Sequence, residues 1–142
     1  MEITTGFKID KPDIFVDWNI TEKDLQKLFS NSDLEKVTTG YFTANCESLS
    51  GLFCMIGFHF EPRKDGVLRE LEFFRTDYFD LNRSFSDFQK HFENSFGKPN
   101  KISHGNEGFN NNYKWNLNGI QIVHFVFDRF GPEEHMRIKK IS

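Results

Sequence analysis

One stretch of the chain repeats another. Residues 21–29 align without gaps on residues 84–92, with Asp24/Asp87, Gln26/Gln89, Lys27/Lys90 and Phe29/Phe92 identical. Thr21/Ser84 and Leu25/Phe88 are similar, and Asn31-Ser32 then matches Asn94-Ser95. Three strand-like segments follow each copy. Internal similarity of this kind constrains architecture more than composition does. It predicts two tandem helix-plus-three-strand units, 21–76 and 84–141, preceded by residues 1–20 as an arm or short strands.

The first helix is expected over Glu22–Ser30. Thr21 is a fitting N-cap because its hydroxyl accepts from a free backbone N–H. Ile20 and Leu25 are spaced as a hydrophobic staple. The second helix is expected over Phe85–Phe96, starting beside Ser84, which the repeat aligns with Thr21, with Phe85, Phe88, Phe92 and Phe96 in one stripe. Gly97 suits a left-handed C-cap, and Pro99 blocks continuation.

Turn chemistry supplies the strands. Asp65-Gly66 is a two-residue hairpin signal that pairs Phe60 with Leu71 and Phe58 with Phe73. Asn118-Gly119 pairs Leu117 with Ile120, Trp115 with Ile122 and Tyr113 with His124. A further strand is expected over Glu134–Ile141. Lys36–Cys46 and Gly51–Phe60 form another expected hairpin, turning in 47–50. Cys46 then faces about Gly51 and Cys54 about Thr43, so the two cysteines are read as unpaired thiols. The fold class expected is α+β: an antiparallel sheet of about six strands with both helices packed on one face. A single domain suits the 142 residues. The 18 phenylalanines are ample for a core and exclude intrinsic disorder.

No apolar run reaches the ~20 residues of a membrane helix. The start shows no basic segment leading into an apolar one, so a cytoplasmic protein is expected. Net charge is −3. Residues 1–60 carry nine acids and five bases, whereas residues 99–142 carry four and six. That gradient argues against nucleic-acid binding, which calls for a basic stripe, and it permits a basic protein partner for the first half.

Catalytic signatures are missing. There is no glycine-rich phosphate loop, HExxH, CxxC or GxSxG. The five histidines are scattered, with none spaced i, i+2 on a strand to share a metal. His124 reads as a half-buried packing residue, and His59 as half of a cross-strand ion pair with Glu72. Glu70 and Glu72 share a strand face, as a carboxylate pair of a glycosidase does, but acids on an outer strand face are normally solvated. No cofactor is expected. What remains is a polar sheet face (His59, Arg69, Glu70, Glu72, Lys114, Asn116, Gln121) and two sets of aromatics flanked by acids. Asp10, Asp13 and Asp17 flank Phe15 and Trp18, and Asp77 and Asp80 flank Tyr78 and Phe79. Aromatic anchors rimmed by charge suit a protein interface. Asp13, Asp17, Trp18, Glu70, Glu72, Asp77, Tyr78 and Asp80 are therefore the candidate partner-binding residues.

The helix ending Phe96-Gly97-Lys98-Pro99, followed by Tyr113-Lys114-Trp115 and a strand hairpin, resembles bacterial immunity proteins of polymorphic and contact-dependent toxin systems. The helix-then-meander repeat is also similar to tandem-repeat inhibitors of the β-lactamase-inhibitor type. The resemblance implies a non-catalytic cytoplasmic protein that neutralises a cognate toxin, such as a nuclease, as a monomer or weak homodimer. It carries over no binding residue. The alternatives are a small ligand-binding or enzymatic domain with a pocket between sheet and helices, and a homodimeric adaptor.

Overall fold

The computed structural model describes residues 2–29, 33–75, 80–105, 110–128 and 131–141. Its elements in chain order are β1 Gly6–Lys11, β2 Ile14–Asp17, α1 Glu22–Leu28, β3 Glu35–Thr38, β4 Tyr41–Ser48, β5 Leu52–Phe60, β6 Leu68–Phe74, α2 Leu81–Phe96, β7 Lys101–Ser103, β8 Asn112–Leu117, β9 Ile120–Asp128 and β10 Pro132–Lys140. The ten strands form one sheet in the order β2-β1-β4-β5-β6-β10-β9-β8-β7, and β3 also pairs with β4. All these strand pairs are antiparallel.

This overturns the expected fold class. The chain is predominantly β-sheet, with ten strands rather than six and two helices among the described residues. The two-unit picture omits the N-terminal hairpin β1–β2, which joins the sheet through β4, and the short strands β3 and β7. The layer over the inner face is consequently shared. The Phe7 ring of β1 sits 5.5 Å from Phe73. Trp18 donates its indole N–H to the Ile3 carbonyl at 2.8 Å, and Leu68 N donates to Ile20 O at 3.1 Å. Helices alone do not cover the sheet.

The repeat breaks at its second cap. Thr21 caps α1, its hydroxyl accepting from Asp24 N at 3.3 Å. Ser84 does not cap α2. Asp80 does, accepting from Asn82 N and Arg83 N at 3.0 and 3.3 Å. A carboxylate at the positive end of a helix is favoured by the helix dipole, so α2 begins a turn early and Ser84 becomes an interior residue. Gly97 terminates α2 as expected, with φ +81°.

Register explains which side chains are buried. The Asn118-Gly119 turn pairs Trp115 with Ile122 and Tyr113 with His124, as the sequence predicts. The β5–β6 hairpin differs: Phe58 faces Leu71 and Ile56 faces Phe73. The loop is longer than two residues, and the pairing is displaced by two. An even displacement keeps every side chain on its face, so Phe58, Leu71 and Phe73 remain buried. The β4–β5 turn uses Leu49, Ser50 and Gly51, all at positive φ. That places Cys46 directly opposite Cys54, contrary to the expected offset, with both thiols free and buried.

The core follows the inward rows of the sheet. Phe42, Phe58, Leu71, Ile138, Ile122 and Trp115 lie across six successive strands, each at most 2% exposed. Phe92 of α2 packs on this layer, with its ring 5.7 Å from Phe73 and 5.9 Å from Trp115. Phe29, at the end of α1, stacks edge-on to Phe58. Each such buried ring contributes about 1.5–3 kcal/mol relative to exposure. Trp115 also donates to the Gly97 carbonyl at 2.8 Å, which ties the end of α2 to β8. No described helix is long and apolar enough to cross a membrane.

Candidate functional site

The other face of the sheet is not covered by either helix. Its residues alternate with the core along the same strands, and its two ends differ in chemistry.

One end is charged. Arg137 of β10 is at its centre, with Nη1 3.4 Å from both Glu70 carboxylate oxygens and Nη2 3.2 Å from Glu72. His59 Nε2 is 3.1 Å from Glu72 Oε1, and Lys139 Nζ is 3.5 Å from Glu70. The hydrogen bond from His59 holds the Glu72 carboxyl below its ordinary range, with the Arg137 charge acting in the same direction. The Tyr41 ring stacks on His59 at 4.4 Å. It can do so because Gly57 has no side chain: a Cβ there would lie 2.9 Å from Tyr41 Cε1. Partial burial raises the Tyr41 hydroxyl pKa, and nearby Glu72 adds to the shift.

The opposite end is aromatic. Met55 faces Phe74 across β5–β6, and Phe125 faces His135 across β9–β10, their rings stacked 5.0 Å apart. Phe53 and Phe127 complete it, 67% and 48% exposed. Two aromatic side chains this open on one sheet face are unusual for a surface that stays in water.

The sequence-derived candidates fall in separate places. Glu70 and Glu72 are on this face, but Arg137, Lys139 and His59 engage them. Asp13 pairs with Lys8. Asp17 accepts from Asn19 N at 2.7 Å. Trp18 is 2% exposed and belongs to the core. Asp80 is the α2 cap. Asp77 and Tyr78 lie outside the described residues. The acids are thus dispersed, and those described serve internal partners. Sequence reasoning missed Phe53, Phe74, Phe125 and Phe127 by assigning the aromatics to the core. The signal was present: the Asn118-Gly119 register that turns Ile122 and His124 inward turns Phe125 and Phe127 outward.

A second polar cluster is closed to solvent. His124 lies on the inner face, 0% exposed. Its Nε2 is 2.6 Å from Glu134 Oε2, whose other oxygen accepts from Ser84 at 2.7 Å. Nδ1 is 2.8 Å from Gln89 Oε1, and the Phe85 ring stacks at 3.8 Å. Burial lowers the His124 pKa, against the pull of the Glu134 hydrogen bond. With His124 and Glu134 side chains 0% and 1% exposed, no substrate can reach them. Cys46 and Cys54 are pushed up to about 12 by burial, so neither is a ready nucleophile. Among the described residues no cluster of His, Cys, Asp or Glu is arranged to hold a metal.

No family model matches the chain, and no curated protein does. Among solved structures it is similar to a DUF4309 family protein, YjgB, from Bacillus subtilis. The identity is 13%, over 84% of this chain and 78% of that one, with a TM-score of 0.45.

Proposed function

We propose that the chain is a non-catalytic binding protein that docks a protein partner on the open face of its sheet. The reading is carried by the aromatic end of that face, where Phe53 and Phe127 stand 67% and 48% exposed. Their neighbour, the Glu70–Glu72–Arg137–His59 network, is a preassembled polar surface whose side chains already hold one geometry. A rigid aromatic anchor beside an ordered polar region limits the side-chain entropy lost on binding. The toxin-neutralising role implied by the resemblance to immunity proteins is the specific form proposed, acting in the cytoplasm on a toxin that reaches it.

The test uses the protein encoded beside this chain, co-expressed with it. Protection of cells and a stable complex, both lost on Phe53→Asp with Phe127→Asp while the fold is retained, are the expected results. A complex insensitive to both substitutions overturns the choice of face. A neighbour that neither binds nor harms cells overturns the immunity role.

A further inference from the structure

On its β7–β9 side the open face dips into a shallow cleft of about 340 Å3, with Phe125 as one wall. In the cross-strand register Lys101 and Lys114 are level with Arg137, and Phe125 with His135. Lys101, Ser103, Asn112, Lys114 and Gln121 line much of the rest. Every one of these five can donate a hydrogen bond, and two are cationic. Among the described residues no aspartate or glutamate lines the cleft.

Lys101 and Lys114 are direct cross-strand partners in the β7–β8 register. Like charges placed opposite each other destabilise a sheet. Lysine on an edge strand has an ordinary explanation, since it discourages edge-to-edge pairing. That accounts for Lys101 on β7. It does not account for Lys114, which sits on β8 with a strand on either side. Other cations of this face are engaged: Arg137 with Glu70 and Glu72, and Lys139 with Glu70. Neither Lys101 nor Lys114 has an ion-pair partner among the described residues. On this face Glu133, opposite Phe127, is an exposed acid whose neighbour His135 is kept from charging by burial, whereas the cleft itself holds two cations and no acid, beside the Phe125 wall.

We infer that the partner presents an acidic segment to this corner. A carboxylate bridges the Lys101 and Lys114 ammonium groups, and an adjacent apolar side chain lies on Phe125 and Phe127. The inference rests on the docking reading above and reverses the sign of partner expected from the acidic N-terminal half. Several acids counted there already have partners within the chain. Asp13 and Glu47 pair with Lys8 and Lys11, and Asp17 and Glu22 accept from the backbone N–H groups of Asn19 and Gly40. What the surface offers a visitor differs from what the net charge of −3 suggests.

The experiment is an amide-resolved NMR titration of the whole chain with two short peptides. One alternates glutamate with phenylalanine, and the other alternates lysine with phenylalanine. The acidic peptide should shift residues 101–103, 112–114, 121 and 125. The basic one should leave them unmoved, and Lys101→Glu with Lys114→Glu should cut the response at least tenfold. Lys114→Gln, which adds no new charge, should weaken it several-fold. Equal shifts from both peptides, or none from the acidic one, overturn the inference. So does an identical response to inorganic phosphate alone, which would mark a simple anion site. The same lysine variants separate the two proposals in the partner-capture assay. If they leave capture intact while Phe53→Asp abolishes it, the acidic-segment inference fails and the docking reading stands. If neither change matters, the docking reading itself fails.

Discussion

Glu134→Ala should be among the most damaging single changes outside the aromatic core. The Glu134 carboxylate serves two groups shielded from water, His124 Nε2 at 2.6 Å and the Ser84 hydroxyl at 2.7 Å. Removing it strands both, and a buried polar group without a partner costs about 1–3 kcal/mol. Two such groups are stranded here, so the expected loss is about 2–6 kcal/mol, or roughly 5–20 °C in Tm for a chain of this size. Urea unfolding at pH 7 followed by circular dichroism measures it, with an unchanged m-value showing that the unfolded state is the same.

The companion variant sharpens the reasoning. His124→Phe, Glu134→Leu and Ser84→Ala together remove the carboxylate and both groups it serves while keeping an aromatic ring over Phe85; Gln89 loses His124 but keeps Glu93 as a partner. Apolar replacement of a buried pair is often neutral or stabilising, so the triple variant should lie within about 1.5 kcal/mol of the parent or above it. Two results refute this account. One is a Glu134→Ala loss below about 1 kcal/mol, less than one stranded buried group costs. The other is a triple variant as unstable as the single one, which would mean that shape rather than hydrogen bonding governs the site.

Three further outcomes are expected. The Glu72 carboxyl is held below its ordinary value of 4.5 in the folded protein. Its contribution to stability is therefore fully present above that pH and is lost as pH falls from there through the lower folded value. Glu72→Gln should flatten that acid limb of the stability profile measured by urea titration. Cys46 and Cys54, with thiols near 12, should resist iodoacetamide at about pH 8 in the folded protein and react on unfolding, as read by intact mass. Asp80→Ala should cost about 0.5–2 kcal/mol through loss of the α2 cap, measured by thermal melting. Ser84→Ala should not reproduce that capping effect, because residue 84 lies inside the helix; its own cost comes from the Glu134 hydrogen bond.

Legibility in the sequence follows the locality of the physics. The Asn118-Gly119 hairpin is readable to the residue because a two-residue turn fixes its own register. The Asp65-Gly66 signal misleads by two residues because Gly66 N donates to the Glu61 carbonyl at 3.0 Å, building a wider loop. The start of α2 is misplaced because the apparent repeat points to Ser84. Asp80, four residues earlier, is the better acceptor and stands directly before the helix start at Leu81. The N-terminal hairpin stays open as an arm or strands because its docking depends on contacts such as Phe7 with Phe73, remote in sequence. The outward phenylalanines are lost because the aromatics are read as following the core-facing parity, although the same alternation sets Phe53, Phe74, Phe125 and Phe127 off the rows of Cys54, Phe73 and Ile122. The acidic candidates are visible as residues but not as ion pairs, since Arg137 reaches Glu70 and Glu72 only through the β6–β10 pairing.

The strict alternation of β5, β9 and β10 has a consequence for how such a chain can change over generations. Each strand writes two independent texts, one on odd positions and one on even. Phe53, Met55 and His59 can be exchanged for other side chains while Cys54, Ile56 and Phe58 keep the interior as it is. Recognition can drift without dragging stability along, so long as substitutions come at every second residue.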